Sequence, residues 1–474
     1  MSAASSVCNS VGRAPEWNFF PTAPFDSVMD SATCKLEEVR PAVGGTSESM
    51  NKESKGENPG NLIFRMLGPG LVTGAADDDP SGIATYSQAG AQFGYGLLWT
   101  VFLTTPFMIA IQLVSAQIGR VTGRGIAANL ALCVPRAAVL VVVAMLVVAN
   151  TFNIAADIAA MGDALWLVVG GLKHEHALIF AAGSVLLEVF VPYRLYAPIL
   201  KFMTLALFLY VATAFTVHIP WGEALLAMVW PNVSLSADYF MMIVAVLGTT
   251  ISPYLFFWQA AQEVEEMNHG RKQRPLRELA HTGEAAIERI AFDTSVGMVF
   301  SNTIALFIIL TTAAVLHAGG VTDIQTAADA ANALRPLAGE LTFALFALGI
   351  IGTGLLAIPV LAGSAAYGVA DAFGWKATLA AAPREAIGFY IIIAAATIIG
   401  FGLGFTSLDP IKMLIWSAVL NGIVAVPIMA AMMLAVTNRE IMGKYRARTS
   451  LVVLGWLGTA LMAAAVLAMI WTSL

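Results

Sequence analysis

Two short stretches of this chain gather the groups that could do chemistry. The first is Asp77-Asp78-Asp79-Pro80-Ser81-Gly82, and the second is Gly248-Thr249-Thr250-Ile251-Ser252-Pro253-Tyr254. Their donors are carboxylate, hydroxyl and backbone carbonyl oxygens, with no Cys, Met or His at either stretch. Oxygen donors of this kind suit Mg²⁺, Ca²⁺ or Mn²⁺ better than softer metals. Pro80 and Pro253 each remove a backbone N–H, so a helix through either stretch is interrupted and its carbonyls are freed as ligands. Gly82, Thr249 and Ser252 are small and leave room for water, and Mg²⁺ keeps several waters while binding through one or two carboxylates. The two stretches together predict a partly hydrated hard dication, held by Asp79 facing Thr249 and Ser252 in a cavity shaped by Gly82. Successive helical residues point about 100° apart, so Asp77 and Asp78 do not join Asp79 on one ion and are assigned to the permeation path. The plainer alternative is a Pro-Gly kink whose acids cap two half-helices. For the second stretch taken alone, that alternative is the better reading.

The elements that must position these residues follow from composition. The 474 residues are 58% hydrophobic and 12% charged, where soluble domains carry about 25% charged residues. Too few charges remain to cover a soluble body of this size. Apolar stretches recur at the roughly 20 residues needed to cross about 30 Å of hydrocarbon. The expectation is an all-α polytopic membrane protein with about eleven transmembrane helices, near 62–93, 95–120, 137–167, 177–192, 195–217, 237–262, 287–316, 338–371, 384–405, 410–436 and 450–473. With the N-terminus inside, sixteen Lys and Arg fall in inner loops and three (Lys173, Arg335, Lys412) in outer ones, as cytoplasmic loops require. An odd number of spans leaves the C-terminus outside. A carboxylate at the bilayer centre costs about 2.5–3.5 kcal/mol, so the three aspartates must face water, protein or a cation. Two Pro-interrupted spans five helices apart, the first and the sixth, point to an inverted five-plus-five repeat with a midplane site between them.

Residues 1–60 hold 13 of the 56 charged side chains and show no periodicity. They read as a disordered cytoplasmic tail or an over-extended start, with Met50 as the alternative. A ten-helix core then spans 61–436, and 437–474 adds a loop and the eleventh helix. The charged segment 263–289 reads as a solvated inner connector, with a helix lying along the membrane surface as the alternative, and its His269 and His281 lack metal-ligand spacing. Net charge −6 argues against nucleic acid as a partner. Cys8, Cys34 and Cys133 form neither a disulfide framework nor a CxxC site. Gly352-Thr-Gly354-Leu-Leu-Ala357 imitates a dinucleotide fingerprint, but inside an apolar span it reads as small residues for close helix packing.

Several ordered stretches resemble the Nramp family of divalent-metal transporters, which have the LeuT-type fold. They are the helix-1 break followed by IATYSQAGAQFGYGLLW (83–99), QLVSAQIGRVTGR (112–124), NIAADIAAMG (153–162), GTTISPY (248–254), and helix 7 from Asp293 through Asn302 to AAVLH (313–317). In that family a helix-1 Asp and Asn, with a Met side chain and an Ala carbonyl of helix 6, bind a naked transition metal. Carried over by position, Asp79 is kept, Gly82 replaces the Asn, Thr249 takes the Ala position and Ser252 replaces the Met. The soft ligand is therefore missing, and the chain is most similar to the Nramp-related magnesium transporter branch. The helix-6 His is Tyr254 here. Of three acidic helix-3 positions only Asp157 remains, beside Asn150 and Ala160, so the usual proton relay is cut.

Asp157 reads as a second-layer or residual proton group, or as a helix-to-helix hydrogen-bonding residue. Asn421 reads first as an interhelical hydrogen-bonding residue, with a role in orienting the ion's hydration shell as the alternative. Asp163 and Glu188 are placed near outer span ends, as structural or vestibule acids. The resulting expectation is alternating-access transport of Mg²⁺, with Mn²⁺ also accepted, weakly or not coupled to protons, in a bacterial inner membrane. No cofactor is implied, since the dication is cargo, and a monomer suffices. Two charges moving through 100 mV release about 4.6 kcal/mol, enough for uniport. The rival is a proton-coupled Mn²⁺/Fe²⁺ importer. An organic-solute carrier is disfavoured because three aspartates repel an anion, and a membrane enzyme because no nucleophile–base pair or HExxH is present.

Overall fold

The computed structural model describes residues 69–474 apart from 192–194, 196–198, 200, 201, 203, 204, 232, 270–273, 280–282, 380–382 and 405–408. The expected tail 1–60, Met50 and His281 lie outside the described residues. All regular elements among the described residues are helical. The principal ones are α1 (Pro69–Asp77), α2 (Pro80–Phe93), α3 (Leu98–Thr122), α4 (Arg136–Val169), α5 (Lys173–Phe190), α6 (Phe208–Thr216), α7 (Ala237–Thr250), α8 (Pro253–His269), α9 (Gly283–Thr312), α10 (Thr342–Phe373), α11 (Ile387–Leu403), α12 (Pro410–Thr437) and α13 (Thr449–Ser473).

These helices meet the eleven expected spans in order, with the first split into α1 and α2 and the sixth into α7 and α8. The fifth is described without gaps only from Leu205. Among the described residues, seven helical runs are long and apolar enough to cross a membrane. The number is eight if Leu205–Thr216 and Trp221–Val229, bent by 120°, are one span. It falls short of eleven for local reasons. Helices α2 and α3 merge into one 43-residue run, and α11 is a shorter apolar helix. In α5, Lys173, Glu175 and Glu188 dilute the apolar stretch.

Both breaks form where the sequence places them. Asp79 caps α2 in extended geometry (φ −71°, ψ 171°), with Pro80 at the first helical position, where a missing N–H is harmless and its φ is already helical. At the other break α7 stops at Thr250. The Ser252 hydroxyl donates to the carbonyls of Gly248 and Thr249, both at 2.8 Å, and Pro253 opens α8. Carbonyls that a helix end leaves unpaired are thus partly satisfied by a local side chain.

Glycines set how closely the broken helices approach their neighbours. A Cβ on Gly74 would stand 2.2 Å from the Gly297 carbonyl oxygen, and one on Gly297 would stand 2.2 Å from that of Gly70. Helix α1 therefore lies backbone-to-backbone on α9. On the other side, a Cβ on Gly248 of α7 would meet the Ala418 carbonyl of α12 at 2.1 Å. Small residues permit such approach in membranes, where dispersion and hydrogen bonding drive helix association.

Two expectations need correction. Residues 263–268 are not solvated connector: they continue α8, with Glu263 and Glu265 buried. Glu265 accepts hydrogen bonds from the Tyr367 hydroxyl and the Leu379 N–H, and Glu266 pairs with Arg289 through two contacts of 2.8 Å. Charges that read as a water-facing run are absorbed by partners on α9, α10 and the 374–386 connector. Asp163 and Glu188 also do not share an end of the bundle. Asp163 pairs with Lys173 at 2.9 Å, where α4 gives way to α5. Glu188 sits two residues from the far end of α5, buried and with neither carboxylate oxygen hydrogen-bonded.

Candidate metal centre

The first break places Asp79 in the protein interior. Its Oδ1 accepts the N–H of Gly82 at 2.7 Å. Its Oδ2 accepts the Asn153 amide at 3.0 Å and the Tyr254 hydroxyl at 3.5 Å, and Tyr254 also donates to the Ala76 carbonyl at 3.1 Å. Asp79 is thereby tied to α2, to α4 and to the start of α8. All three partners are donors, which matches a carboxylate held as an anion.

Gly82 meets the second break directly. A Cβ built on it would lie 3.0 Å from Thr249 Oγ1 and 3.4 Å from the Asp77 carbonyl oxygen. The N-terminal turn of α2 and the last turn of α7 are therefore in contact, with hydroxyl and carbonyl oxygens between them. Ser252 is buried beside Thr249 at the same helix end. Its proton is directed into the helix, which leaves its lone pairs for another partner. Asp79, Gly82, Thr249 and Tyr254 are brought together by these contacts, and Ser252 joins them through the Thr249 carbonyl.

Asp77 and Asp78 turn away from this group toward α9. Ser301 Oγ lies 2.5 Å from Asp77 Oδ2 and 3.1 Å from Asp78 Oδ1. Asp157 is fully buried, with neither oxygen hydrogen-bonded, one turn along α4 from the Asn153 that bonds Asp79. Asn421 lies on α12, buried, with its Oδ1 unbonded.

A family model described as Natural resistance-associated macrophage protein-like matches residues 70–472. The chain belongs to the Nramp family. Nramp proteins are transporters, so this chain is a transporter and not an enzyme. It is 26% identical over 399 residues to a divalent metal cation transporter MntH of Pectobacterium carotovorum, covering 82% of this chain and 90% of that one. It is 27% identical over 412 residues to the MntH of Verminephrobacter eiseniae, covering 84% and 87%. Among solved structures it resembles the Eremococcus coleocola manganese transporter with TM-score 0.67 at 15% identity, covering 87% of each chain. It also resembles Mhp1, a nucleobase-cation-symport-1 family transporter, with TM-score 0.53 at 13% identity, covering 86% and 93%. These last two likenesses establish the fold, a LeuT-type helical one, and in this chain its first and sixth spans are broken.

Within this Nramp chain the structure adds residues that sequence reading passed over. Asn153 holds Asp79, and Ser417 of α12 holds Asn153 in turn. The Ser417 hydroxyl donates to Asn153 Oδ1 at 2.9 Å and lies 3.2 Å from the Ser81 hydroxyl. Asn153 precedes Asp157 by four residues and shares its helix face, a signal present in NIAADIAAMG but outweighed by the acid. Asn150, where the family resemblance implies an acid, is committed to α10 instead. It donates to the Leu361 carbonyl and the Ser364 hydroxyl, both at 2.8 Å.

Proposed function

We propose that this Nramp protein transports divalent metal cations by alternating access, preferring Mg²⁺ and also accepting Mn²⁺. Asp79 supplies the charge, while Gly82, Thr249 and Ser252 shape the cavity. The observation that carries the reading is the contact between the two breaks: a Cβ on Gly82 would meet Thr249 Oγ1, the Asp77 carbonyl oxygen and the edge of the Tyr86 ring, with no thioether or imidazole in the set. Oxygen donors and one charged ligand favour a hard ion that keeps part of its water shell. A Cβ at position 82 would already lie 3.0 Å from Thr249 Oγ1, so a larger ligating side chain there requires Thr249 to move.

Access is supported by the way α1 is held. Asp293 of α9 accepts the N–H groups of Gly70 at 2.7 Å and Leu71 at 3.2 Å. Thr73 donates to Gln259 Oε1 at 2.5 Å. These contacts fix a nine-residue half-helix at one end of the cavity, and their release would open it. Driving force without protons is consistent with Tyr254 and Asn153 as the groups on Asp79, since neither titrates in the physiological range. We assign the protein to a bacterial inner membrane, with the N-terminus cytoplasmic, the C-terminus outside and the monomer as transport unit. Residues 61–436 form the transporter core.

A proton-coupled Mn²⁺/Fe²⁺ importer is the second reading. The buried, unbonded carboxylate of Asp157 beside Asp79 favours it. Proteoliposomes loaded with a pH dye decide between the two. The proposal expects Mn²⁺ entry to be competed by Mg²⁺ and to leave internal pH unchanged. Mn²⁺ uptake untouched by excess Mg²⁺, accompanied by internal acidification, establishes the second reading instead.

A further inference from the structure

One phenol stands across the first break. Ala76 lies in the last turn of α1, and in a continuous helix its carbonyl would accept the N–H four residues on, at position 80. Pro80 has no N–H, so this carbonyl, on a fully buried residue, needs a donor from outside its own helix. Tyr254, the second residue of α8, supplies it: its hydroxyl lies 3.1 Å from the Ala76 oxygen. The same hydroxyl lies 3.5 Å from Oδ2 of Asp79, the cap of α2. A phenol carries a single proton, so it serves these two acceptors in alternation. The carbonyl is the nearer one, and the carboxylate, as an anion, is the stronger one. Each acceptor belongs to a different half of the broken span.

We propose that Tyr254 couples the cargo at Asp79 to the position of α1, by directing its one proton either to Asp79 Oδ2 or to the Ala76 carbonyl. The inference rests on the cargo assignment made above. A dication on Asp79 cancels the charge of the carboxylate and repels the phenol proton, which then turns to Ala76 and ties α1 to α8. When α1 leaves, it takes that carbonyl with it. Asp79 is then the remaining acceptor of the pair, and the phenol competes with the ion for Oδ2. The ion is therefore held more firmly with α1 in place than with α1 away. Coupling of this kind is reciprocal, so the ion holds α1 by the same factor, and such factors run from about 5- to 150-fold. The cargo is loosened on the side that α1 opens. Tyr254 acts in this as a positioning residue and not as a ligand of the ion.

The experiment measures thiol labelling of Ala75→Cys, a buried position on α1, in the full chain in nanodiscs with Cys8, Cys34 and Cys133 replaced by alanine. Mn²⁺ binding is measured on the same samples by equilibrium dialysis, and folding is verified by the thermal transition. In this reporter protein saturating Mn²⁺ should slow labelling about tenfold. Tyr254→Phe keeps the ring and loses the proton; it should still bind Mn²⁺, and the ion should change its labelling by less than twofold. Para-aminophenylalanine at position 254 has the same reach and two protons, so it keeps Ala76 satisfied and serves both acceptors at once. Mn²⁺ should again change labelling by less than twofold. Protection in either variant as large as in the reporter overturns the inference. So does a reporter that binds Mn²⁺, loses it in Asp79→Asn and yet labels at one rate with and without the ion, a result that leaves the cargo assignment standing. Absence of binding in the reporter, or binding that survives Asp79→Asn, overturns the cargo assignment and this coupling with it.

Discussion

Asn153 offers the sharpest test of how the carboxylate of Asp79 is controlled. It contributes no ligand atom in the proposed site. Its amide donates to Asp79 Oδ2 at 3.0 Å, and its own orientation is fixed because Ser417 donates to its Oδ1 at 2.9 Å. Substituting Asn153→Leu keeps a side chain of similar size but removes the donor. A hydrogen bond to a charged group contributes about 1.5–3 kcal/mol, which is roughly a 10- to 150-fold change in an equilibrium constant. Loss of an orienting partner behind a metal ligand typically lowers metal affinity about 10- to 100-fold. Ser417→Ala removes a neutral bond of about 0.5–1.5 kcal/mol, and its expected loss is correspondingly about 2- to 12-fold. Because Ser417 acts through Asn153, adding Ser417→Ala to Asn153→Leu should cost little more than Asn153→Leu alone. Initial uptake rates over a range of Mn²⁺ and Mg²⁺ concentrations should show the loss in KM, with the maximal rate changed less. The control is Asn150→Ala, which cuts an equally buried tie between α4 and α10 at 2.8 Å away from Asp79. It should lower Tm and leave KM alone. If Asn153→Leu leaves KM within twofold in a folded protein, or if the two substitutions simply add, Asn153 is a packing residue and the reasoning fails.

Further outcomes follow from other contacts. Asp79→Ala should abolish uptake while the protein still folds, since its three donors are a backbone N–H, an amide and a phenol that other groups or water can satisfy; retained transport measured in proteoliposomes removes Asp79 from the site. Ser252→Met places a soft thioether at the second break and should shift competition toward Mn²⁺ over Mg²⁺; unchanged competition means that position 252 does not face the ion. Gly74→Ala puts a methyl 2.2 Å from the Gly297 carbonyl oxygen, and overpacking of this kind costs about 1–3 kcal/mol. Helix α1 should therefore leave α9 more often, read as faster thiol labelling of a cysteine introduced at Thr73; labelling at the original rate shows that α1 is not the moving part.

The breaks were legible in the sequence because their causes are local. A proline, a glycine and an adjacent acid act on the backbone within one turn, so Asp79 as the cap of α2 and the interruption before Pro253 required no knowledge of neighbours. The roles of Asn153, Ser417 and Ser301 were not legible for the opposite reason. Each depends on the rotation of a second and third helix about its own axis, and an Asn or Ser in an apolar run carries no sign of which neighbour it will face. Residues 263–268 depart from the sequence reading through the same gap. Glu265 and Glu266 look like residues meant for water until Tyr367, Leu379 and Arg289 arrive from elsewhere in the chain to meet them. Scarce charge marked where the chemistry lies, and partners distant in sequence decide what that charge does.

The same contrast bears on why the transporter is broken at these points. An intact helix through 69–93 would lock both ends of the site into one rigid body, because each turn is hydrogen-bonded to the next. The interruption at Asp78 and Asp79 leaves α1 as nine residues, too short to be stable by itself. Its position is set by contacts with α8 and α9: the glycine backbone approach, the Asp293 cap and the Thr73–Gln259 bond. Each of these is worth little alone, and all lie at one end of the cavity. Asp79, in contrast, is the cap of α2 and is tied by Asn153 to α4, on the far side of the break. On the proposed assignment, a cation bound at Asp79 stays with α2 and α4 while α1 is free to move, which is the mechanical condition for opening one side of a site without dismantling it.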